Sequence, residues 1–108
     1  MTEEEFRRIA LALPDAVEGA HGGHPDFRVG GKVFASLQPA KGLGMAKLTP
    51  EQQAMFMGTE PGVYTPASGS WGLKGATMIT LSQAESESVE MALEAAWKNT
   101  APKTKKKS

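Results

Sequence analysis

The chain contains no cysteine, and this absence excludes disulfide bonds, thiolate metal ligands and cysteine nucleophiles. Aromatic residues make up only 6% of the 108 positions, so each of the two tryptophans is a notable feature. No apolar run approaches the ~20 residues that a membrane-spanning helix needs. The first residues, Met1-Thr2-Glu3-Glu4-Glu5, are acidic where a secretory signal is basic. We therefore expect a cytoplasmic protein with no membrane partner.

The formal net charge is zero, but the charges are unevenly distributed along the chain. Four of the twelve basic residues are lysines in the last six positions, Lys103, Lys105, Lys106 and Lys107. The remainder has eight basic residues against twelve acidic ones, so it carries a net negative charge. A chain of this length forms one domain. We predict a single domain over residues 1–101, followed by a flexible basic tail over residues 102–108.

Three helices are predicted by capping boxes, in which Ser or Thr is followed three residues later by Glu or Gln. The boxes are Thr2 with Glu5, Thr49 with Gln52, and Ser82 with Glu85. Six short runs with strand propensity lie between the helices, each bounded by Gly or Pro, at 16–20, 26–29, 32–37, 44–48, 63–65 and 76–81. Helices at both ends and successive hairpins between them indicate an α+β fold. We expect an antiparallel sheet of about five strands with three helices packed on one face.

Gly30-Gly31 joins the second and third of these runs and predicts a tight β-hairpin, because two glycines readily adopt the positive φ angles of its turn. A two-residue turn pairs Val29 with Lys32. Strict alternation then places Phe27, Val29 and Phe34 on one face and Arg28, Val33, Ala35 and Leu37 on the other. Since the second face is partly apolar, we interpret it as a binding surface. Coverage by a loop or a dimer partner, and a register shifted by one residue, are the alternatives.

Several short motifs occur in the order found in one known family. They are Leu11-Ala12-Leu13-Pro14 leading to Glu18, Gly23-His24-Pro25, residues 27–35, Leu48-Thr49-Pro50-Glu51-Gln52, Pro61, Pro66, Gly69, Trp71-Gly72-Leu73-Lys74-Gly75 and Ala95-Ala96-Trp97. On these residues the chain resembles the MmcQ/YjbR family, from about Phe6 to Pro102. It departs from the family pattern at Ala76, where many relatives carry tryptophan.

The resemblance to this family implies a fold similar to that of the frataxin/CyaY group, an antiparallel sheet backed by helices. It also implies DNA binding through hairpins that are arranged as two wings. It supplies no catalytic residues, so the functional hypothesis concerns a binding surface.

The strand segments concentrate positive charge, and the third predicted helix concentrates negative charge. The strand region holds Arg28, Lys32, Lys41, Lys47 and Lys74 with only Glu18 and Asp26, whereas the helix region holds Glu85, Glu87, Glu90 and Glu94. Nucleic-acid binding needs cations gathered on one surface and aromatic groups that stack on bases. We therefore predict a non-catalytic protein that binds DNA or another nucleic acid through the sheet face and the Trp71 loop. The predicted binding residues are Arg28, Lys32, Lys47, Trp71 and Lys74.

The same face also suits a small molecule or another protein, which is the alternative hypothesis. Its apolar residues, together with Met45 and Trp71, would form a shallow pocket or an interaction surface. Binding of that kind would be insensitive to salt, unlike the binding of nucleic acid.

Metal binding and catalysis are less favoured interpretations. His21 and His24 are three residues apart near Glu18 and Asp26, but a glycine-rich loop positions few convergent ligands. A histidine with a nearby carboxylate can act as a general base, yet no nucleophile elbow or phosphate-binding loop accompanies these residues. We predict no catalytic residue, no metal ligand and no cofactor.

Overall fold

The computed structural model describes residues 1–102, and the lysines of the predicted tail lie outside the described residues. Within this part, the helices are α1 (Glu3–Leu11), α2 (Pro50–Thr59), α3 (Gly69–Leu73) and α4 (Ser86–Thr100). The strands are β1 (Val17–His21), β2 (His24–Val29), β3 (Lys32–Gln38), β4 (Leu43–Lys47), β5 (Tyr64–Pro66) and β6 (Ala76–Thr80). Two 3-10 turns occur at Pro39–Lys41 and Leu81–Gln83. No described helix is both long and apolar enough to cross a membrane.

All six strands form one antiparallel sheet in the order β1-β2-β3-β4-β6-β5. The first four strands follow one another as a meander, and β6 then pairs with β4 and leaves β5 at the edge. The α+β prediction is confirmed, with one strand more than the expected five and the short α3 as an additional helix. The sequence around α3 is rich in glycine, a poor helix former, so its pattern does not predict this single helical turn.

The Gly30-Gly31 hairpin is confirmed, since both glycines have positive φ angles, 60° and 81°, and Val29 pairs with Lys32. Beyond the turn, the side chains do not alternate between the two faces as predicted, because the pairing register shifts between Phe27 and Arg28. This bulge inserts one extra residue into β3, so that Phe34 and Ala35 are both buried in the core. The prediction that Ala35 and Leu37 lie on the second face with Arg28 and Val33 is therefore wrong: both residues belong to the core.

Two of the three capping boxes are present. The Thr2 hydroxyl accepts from the Glu5 amide at 3.1 Å, and the Thr49 hydroxyl accepts from the Gln52 amide at 3.1 Å. The prediction that the Ser82 box opens the last helix is wrong, because α4 begins at Ser86. Residues 81–83 form a 3-10 turn instead, which buries Leu81 in the core while its carbonyl accepts from the N-terminal ammonium at 2.9 Å.

The core lies between one face of the sheet and the helices. Phe6 of α1 contacts this face directly, with its ring centroid 6.0 Å from that of Phe27. A Cβ atom on Gly44 would stand 2.5 Å from the Phe6 ring, so a larger residue in β4 would displace that ring from its place in the core. The apolar face of α4 completes the core with the buried residues Val89, Leu93 and Ala96. Helical packing on this face leaves the opposite face of the central strands uncovered.

Candidate nucleic-acid interface

The uncovered face of the sheet forms a groove of about 820 Å³, which we call the sheet groove. Its floor follows one cross-strand row, in which Ser36 pairs with Met45 and Met45 with Met78. The lining consists of His21, Lys32, Val33, Ser36, Gln38, Lys41, Leu43, Met45, Lys47, Ala67, Ser68, Trp71, Ala76 and Met78. Three lysines and a histidine thus surround an apolar floor, and none of the carboxylates of the described chain contributes to the lining.

Trp71 stands at one end of the sheet groove on the short helix α3. Its side chain is 61% exposed. The Nζ atoms of Lys47 and Lys74 each lie 5.9 Å from the centroid of its ring, within the range of a cation–π contact. An exposed indole with two ammonium groups close to it is suited to stack on a planar ring that carries negative charge nearby.

The backbone around Trp71 is held in place by close packing. A Cβ atom on Gly72 would stand 1.9 Å from the Ala67 carbonyl oxygen, and one on Gly75 would stand 2.0 Å from the Leu48 carbonyl oxygen. The Gln53 side-chain amide donates to the carbonyls of Gly72 at 3.1 Å and Ala76 at 3.0 Å. Trp71 is therefore an exposed side chain on a well-supported backbone.

A smaller cleft of about 350 Å³ continues the sheet groove past the indole, and we call it the tryptophan cleft. Lys32, Lys47 and Trp71 line both, and Lys74 and Asn99 are added here. Asn99 donates to the Lys47 carbonyl oxygen at 3.0 Å, which fixes the end of β4 against the last turn of α4. The two concavities together bring four of the five predicted binding residues, Lys32, Lys47, Trp71 and Lys74, to one surface.

Arg28, the fifth predicted residue, is engaged elsewhere. Its Nε and Nη2 atoms donate to Asp26 Oδ1 at 2.8 Å and Oδ2 at 3.0 Å. Asp26 is completely buried, and the hydrogen bonds from Arg28, followed by that from His21, hold the pKa of its carboxyl below the ordinary value. The same ion pair raises the pKa of Arg28. Its charge is therefore neutralised, and Arg28 lines neither the sheet groove nor the tryptophan cleft.

The four lysines that line the sheet groove or the tryptophan cleft, Lys32, Lys41, Lys47 and Lys74, differ from Arg28 in this respect. Among residues 1–102, none of them lies within 4.0 Å of a carboxylate oxygen. Their charges are therefore available to a ligand. Lys41, which counted in the charge analysis but not among the predicted binding residues, joins this set because the 3-10 turn carries it to the far end of the groove.

Acidic residues concentrate on the helical side of the sheet, on α1 and α4. Glu5, Glu90 and Glu94 line a separate groove between α1 and α4. Glu85 and Glu87 are exposed at the start of α4. The helical layer is thus acidic where the open face of the sheet is basic, as the sequence predicted.

The structure offers no support for a metal centre in residues 1–102, where no group of three or more His, Cys, Asp or Glu side chains converges. His21 hydrogen-bonds Asp26 instead, with Nδ1 2.6 Å from Oδ2. His21 also lines the sheet groove, a position that sequence reasoning did not assign to it. The only sequence signal for His21 is its nearness to Asp26, which suggests metal binding or general-base chemistry and not a place in a groove.

No curated protein and no solved structure matches the chain at a significant level. The expected likeness to the frataxin/CyaY group is therefore not confirmed, although the α+β architecture is. The sequence profile of the YjbR family matches residues 11–99. That range contains every described strand and α3, which are the elements that build the sheet groove. Since the match covers most of the chain and agrees with the motifs quoted above, the protein belongs to the YjbR family.

Proposed function

We propose that this protein binds nucleic acid, with DNA as the first ligand to test, through the sheet groove and Trp71, and that it does so without catalysing a reaction. The observation that carries the proposal is the exposed Trp71 ring, with the ammonium groups of Lys47 and Lys74 each 5.9 Å from its centroid. Stacking on a base and neutralising the adjacent phosphates are the two interactions that single-stranded nucleic acid requires.

The distribution of cations along the sheet groove supports an extended ligand. Lys32, Lys47 and Lys74 surround Trp71 at one end, and Lys41 lies at the other. The seven residues of β3 separate these ends by about 20 Å, given the rise of a strand. A short stretch of polynucleotide would span this distance, with phosphates at both ends and bases over the apolar floor.

The negative net charge of the domain does not oppose this proposal. The carboxylates of α4 and α1 lie on the helical side of the sheet, away from the groove. At 0.1 M salt, interactions between exposed charges are largely screened beyond about 10 Å. A ligand in the sheet groove and the tryptophan cleft therefore responds mainly to the four lysines that line these two concavities.

The test is a titration of the full chain with fluorescein-labelled dT12 and with a 12-base-pair duplex, followed by anisotropy at 50 to 200 mM salt. We expect dT12 to bind more tightly than the duplex, because the indole stacks only on unpaired bases. The affinity should decrease with rising salt, with a slope of about −0.7 for each phosphate contacted. The absence of binding to both oligonucleotides at 50 mM salt would contradict the proposal.

A small molecule or a protein segment is the second candidate for the same groove. The observation that favours it is the apolar row of Met45 and Met78 on the floor. Such a ligand would raise the unfolding temperature in a metabolite screen at any salt concentration. Salt-independent stabilisation that is lost in Trp71→Ala would favour this candidate over nucleic acid.

A further inference from the structure

His21 occupies the end of the sheet groove opposite Trp71. It closes β1, and it pairs with His24 across the glycine turn that leads into β2. Because Asp26 pairs with Ser36 further along these strands, His21 lies towards the Gln38 end of β3. Its imidazole is 61% exposed and forms part of the groove lining, as does Lys41.

A hydrogen bond to the buried Asp26 fixes the orientation of this imidazole. Asp26 has no exposed surface and makes a bidentate ion pair with Arg28, which holds its pKa low and keeps it ionised at neutral pH. Gly19 provides the space for this cluster, since a Cβ atom there would stand 3.0 Å from Asp26 Oδ1 and 3.2 Å from Arg28 Nε. The arrangement is therefore built into the sheet and does not depend on an exposed loop.

An ionised carboxylate only accepts hydrogen bonds, so Nδ1 of His21 must donate to Asp26 Oδ2 across the 2.6 Å that separates them. The proton of a neutral His21 is then on Nδ1, and Nε2 carries a lone pair. No described residue hydrogen-bonds Nε2. When the ring takes up a second proton, Nε2 becomes a charged donor that is free to bind a ligand.

We propose that His21 is a proton-dependent phosphate contact of the sheet groove, so that the protein binds nucleic acid more tightly as the pH falls from 8 to 5.5. This inference rests on the proposed function and adds a second anchoring point to it, at the end of the groove away from Trp71. Histidine is the side chain that ordinarily changes charge in this pH range. The neutral ring presents a lone pair that repels phosphate, and the protonated ring presents an N–H that binds it.

The charged groups around His21 determine the direction of the effect. Asp26 attracts the positive charge of a protonated ring, whereas Arg28, which is paired with Asp26, and Lys41 at the same end of the groove repel it. Lys32 and Lys47 line the groove at the Trp71 end. His24, its partner across the turn, does not line the groove. A phosphate bound in the groove reduces the opposing positive field, so ligand binding and proton uptake by His21 favour each other.

The experiment measures the dissociation constant for dT12 at fixed ionic strength between pH 5.5 and 8.0. The full chain is compared with His21→Gln and with the matched control His24→Gln. The chain holds only these two histidines, and glutamine at position 21 keeps an amide N–H donor that can replace Nδ1 in the hydrogen bond to Asp26. We expect roughly fivefold or greater tightening at pH 5.5 in the unchanged chain and in His24→Gln. The affinity of His21→Gln should stay close to the value for the unchanged chain at pH 8.0.

Two results would overturn this role of His21 while leaving the proposed function intact. One is binding that does not change with pH, and the other is a pH dependence that persists in His21→Gln. Absence of binding at every pH would contradict the proposed function, and this inference with it. A separate readout needs no ligand: two-bond ¹H–¹⁵N NMR spectra at pH 8 should show the His21 proton on Nδ1, and a proton on Nε2 would refute the arrangement.

Discussion

The ammonium group of Lys47 lies 5.9 Å from the centroid of the Trp71 ring, although the two residues belong to different elements of the fold. Lys47 ends β4, and Trp71 lies on α3 immediately before β6. The contact exists because β4 and β6 are neighbours in the sheet, with Lys47 paired to Ala76. The pairing of two strands that are distant in sequence therefore creates the principal feature of the proposed interface.

Replacing Trp71 by alanine is expected to weaken the binding of dT12 by about 5- to 150-fold, because stacking contributes ~1–3 kcal/mol per base. Unfolding by urea should change little, since the ring is mostly exposed. Leu73→Ala is the matched control: this side chain lies on the same short helix, is 82% exposed and lines neither the groove nor the cleft. Equal losses of affinity in both variants would show that Trp71 does not stack on the ligand.

Replacing Lys47 or Lys74 by alanine should weaken binding mainly at low salt. Each substitution removes about one phosphate contact and should make the slope of log affinity against log salt shallower by ~0.7. The control is Lys98→Ala, which removes an exposed lysine of α4 that pairs with Glu94 at 3.8 Å, away from the groove. If Lys98→Ala lowers the slope as much as Lys74→Ala does, the binding is a general charge effect and is not located in the groove.

Local features of the fold could be predicted from the sequence, because the residues that form each feature are close together along the chain. The capping boxes at Thr2 and Thr49 and the Gly30-Gly31 turn depend only on residues within four positions. The Ser82 box has the same pattern but does not form, because the chain makes a 3-10 turn at residues 81–83 that places Leu81 in the core. Tertiary packing there overrides a local signal.

The candidate site could be predicted only in part, for the same reason. The segregation of charge between strands and α4 was visible in the composition of each segment, and Trp71 was prominent because aromatic residues are few. The pairing of Arg28 with Asp26 was not visible, because alternation places the two side chains on one face without saying whether they bind each other. The position of His21 in the groove depends on that same cluster.

Replacing Asp26 by asparagine should lower the free energy of unfolding at pH 7 by about 1–3 kcal/mol, because it removes charged hydrogen bonds and leaves buried polar groups poorly paired. The folded-state pKa of Asp26 lies below its ordinary value, so the stabilisation is present above that ordinary value and is lost as the pH falls through the lower, folded-state pKa. Urea unfolding at pH 7 and pH 3 should show the difference between the two proteins shrinking in acid. Asp15→Asn, at an exposed position whose φ angle of 59° both residues tolerate, should change stability little and by the same amount at pH 7 and pH 3.

Replacing Gly31 by valine should destabilise the protein by about 1–3 kcal/mol, because its φ angle of 81° is unfavourable for a β-branched residue. Among residues 1–102, apart from its chain neighbours, no atom lies within 4 Å of the new Cβ position, so the expected effect comes mainly from the backbone conformation. Gly58→Ala should have the opposite effect. Gly58 lies in α2, where a Cβ atom would also meet no atom of residues 1–102 within 4 Å outside the backbone of its own helix and its chain neighbours, so alanine should stabilise the helix by about 0.5–1 kcal/mol. Thermal unfolding of both variants tests the turn, and an unchanged melting temperature in Gly31→Val would contradict its assignment.

Removing residues 103–108 should weaken dT12 binding several-fold at 50 mM salt and reduce its salt dependence. The described chain ends at Pro102 beside Gly30, where a Cβ atom would stand 2.7 Å from the proline ring. This turn leads directly to Lys32 in the groove, and six residues can extend up to about 20 Å from it. A full-length chain with all four tail lysines replaced by glutamine should behave like the truncated chain, since the effect is one of charge. If the truncated and unchanged chains bind equally at every salt concentration, the tail takes no part in binding and the groove lysines account for all of it.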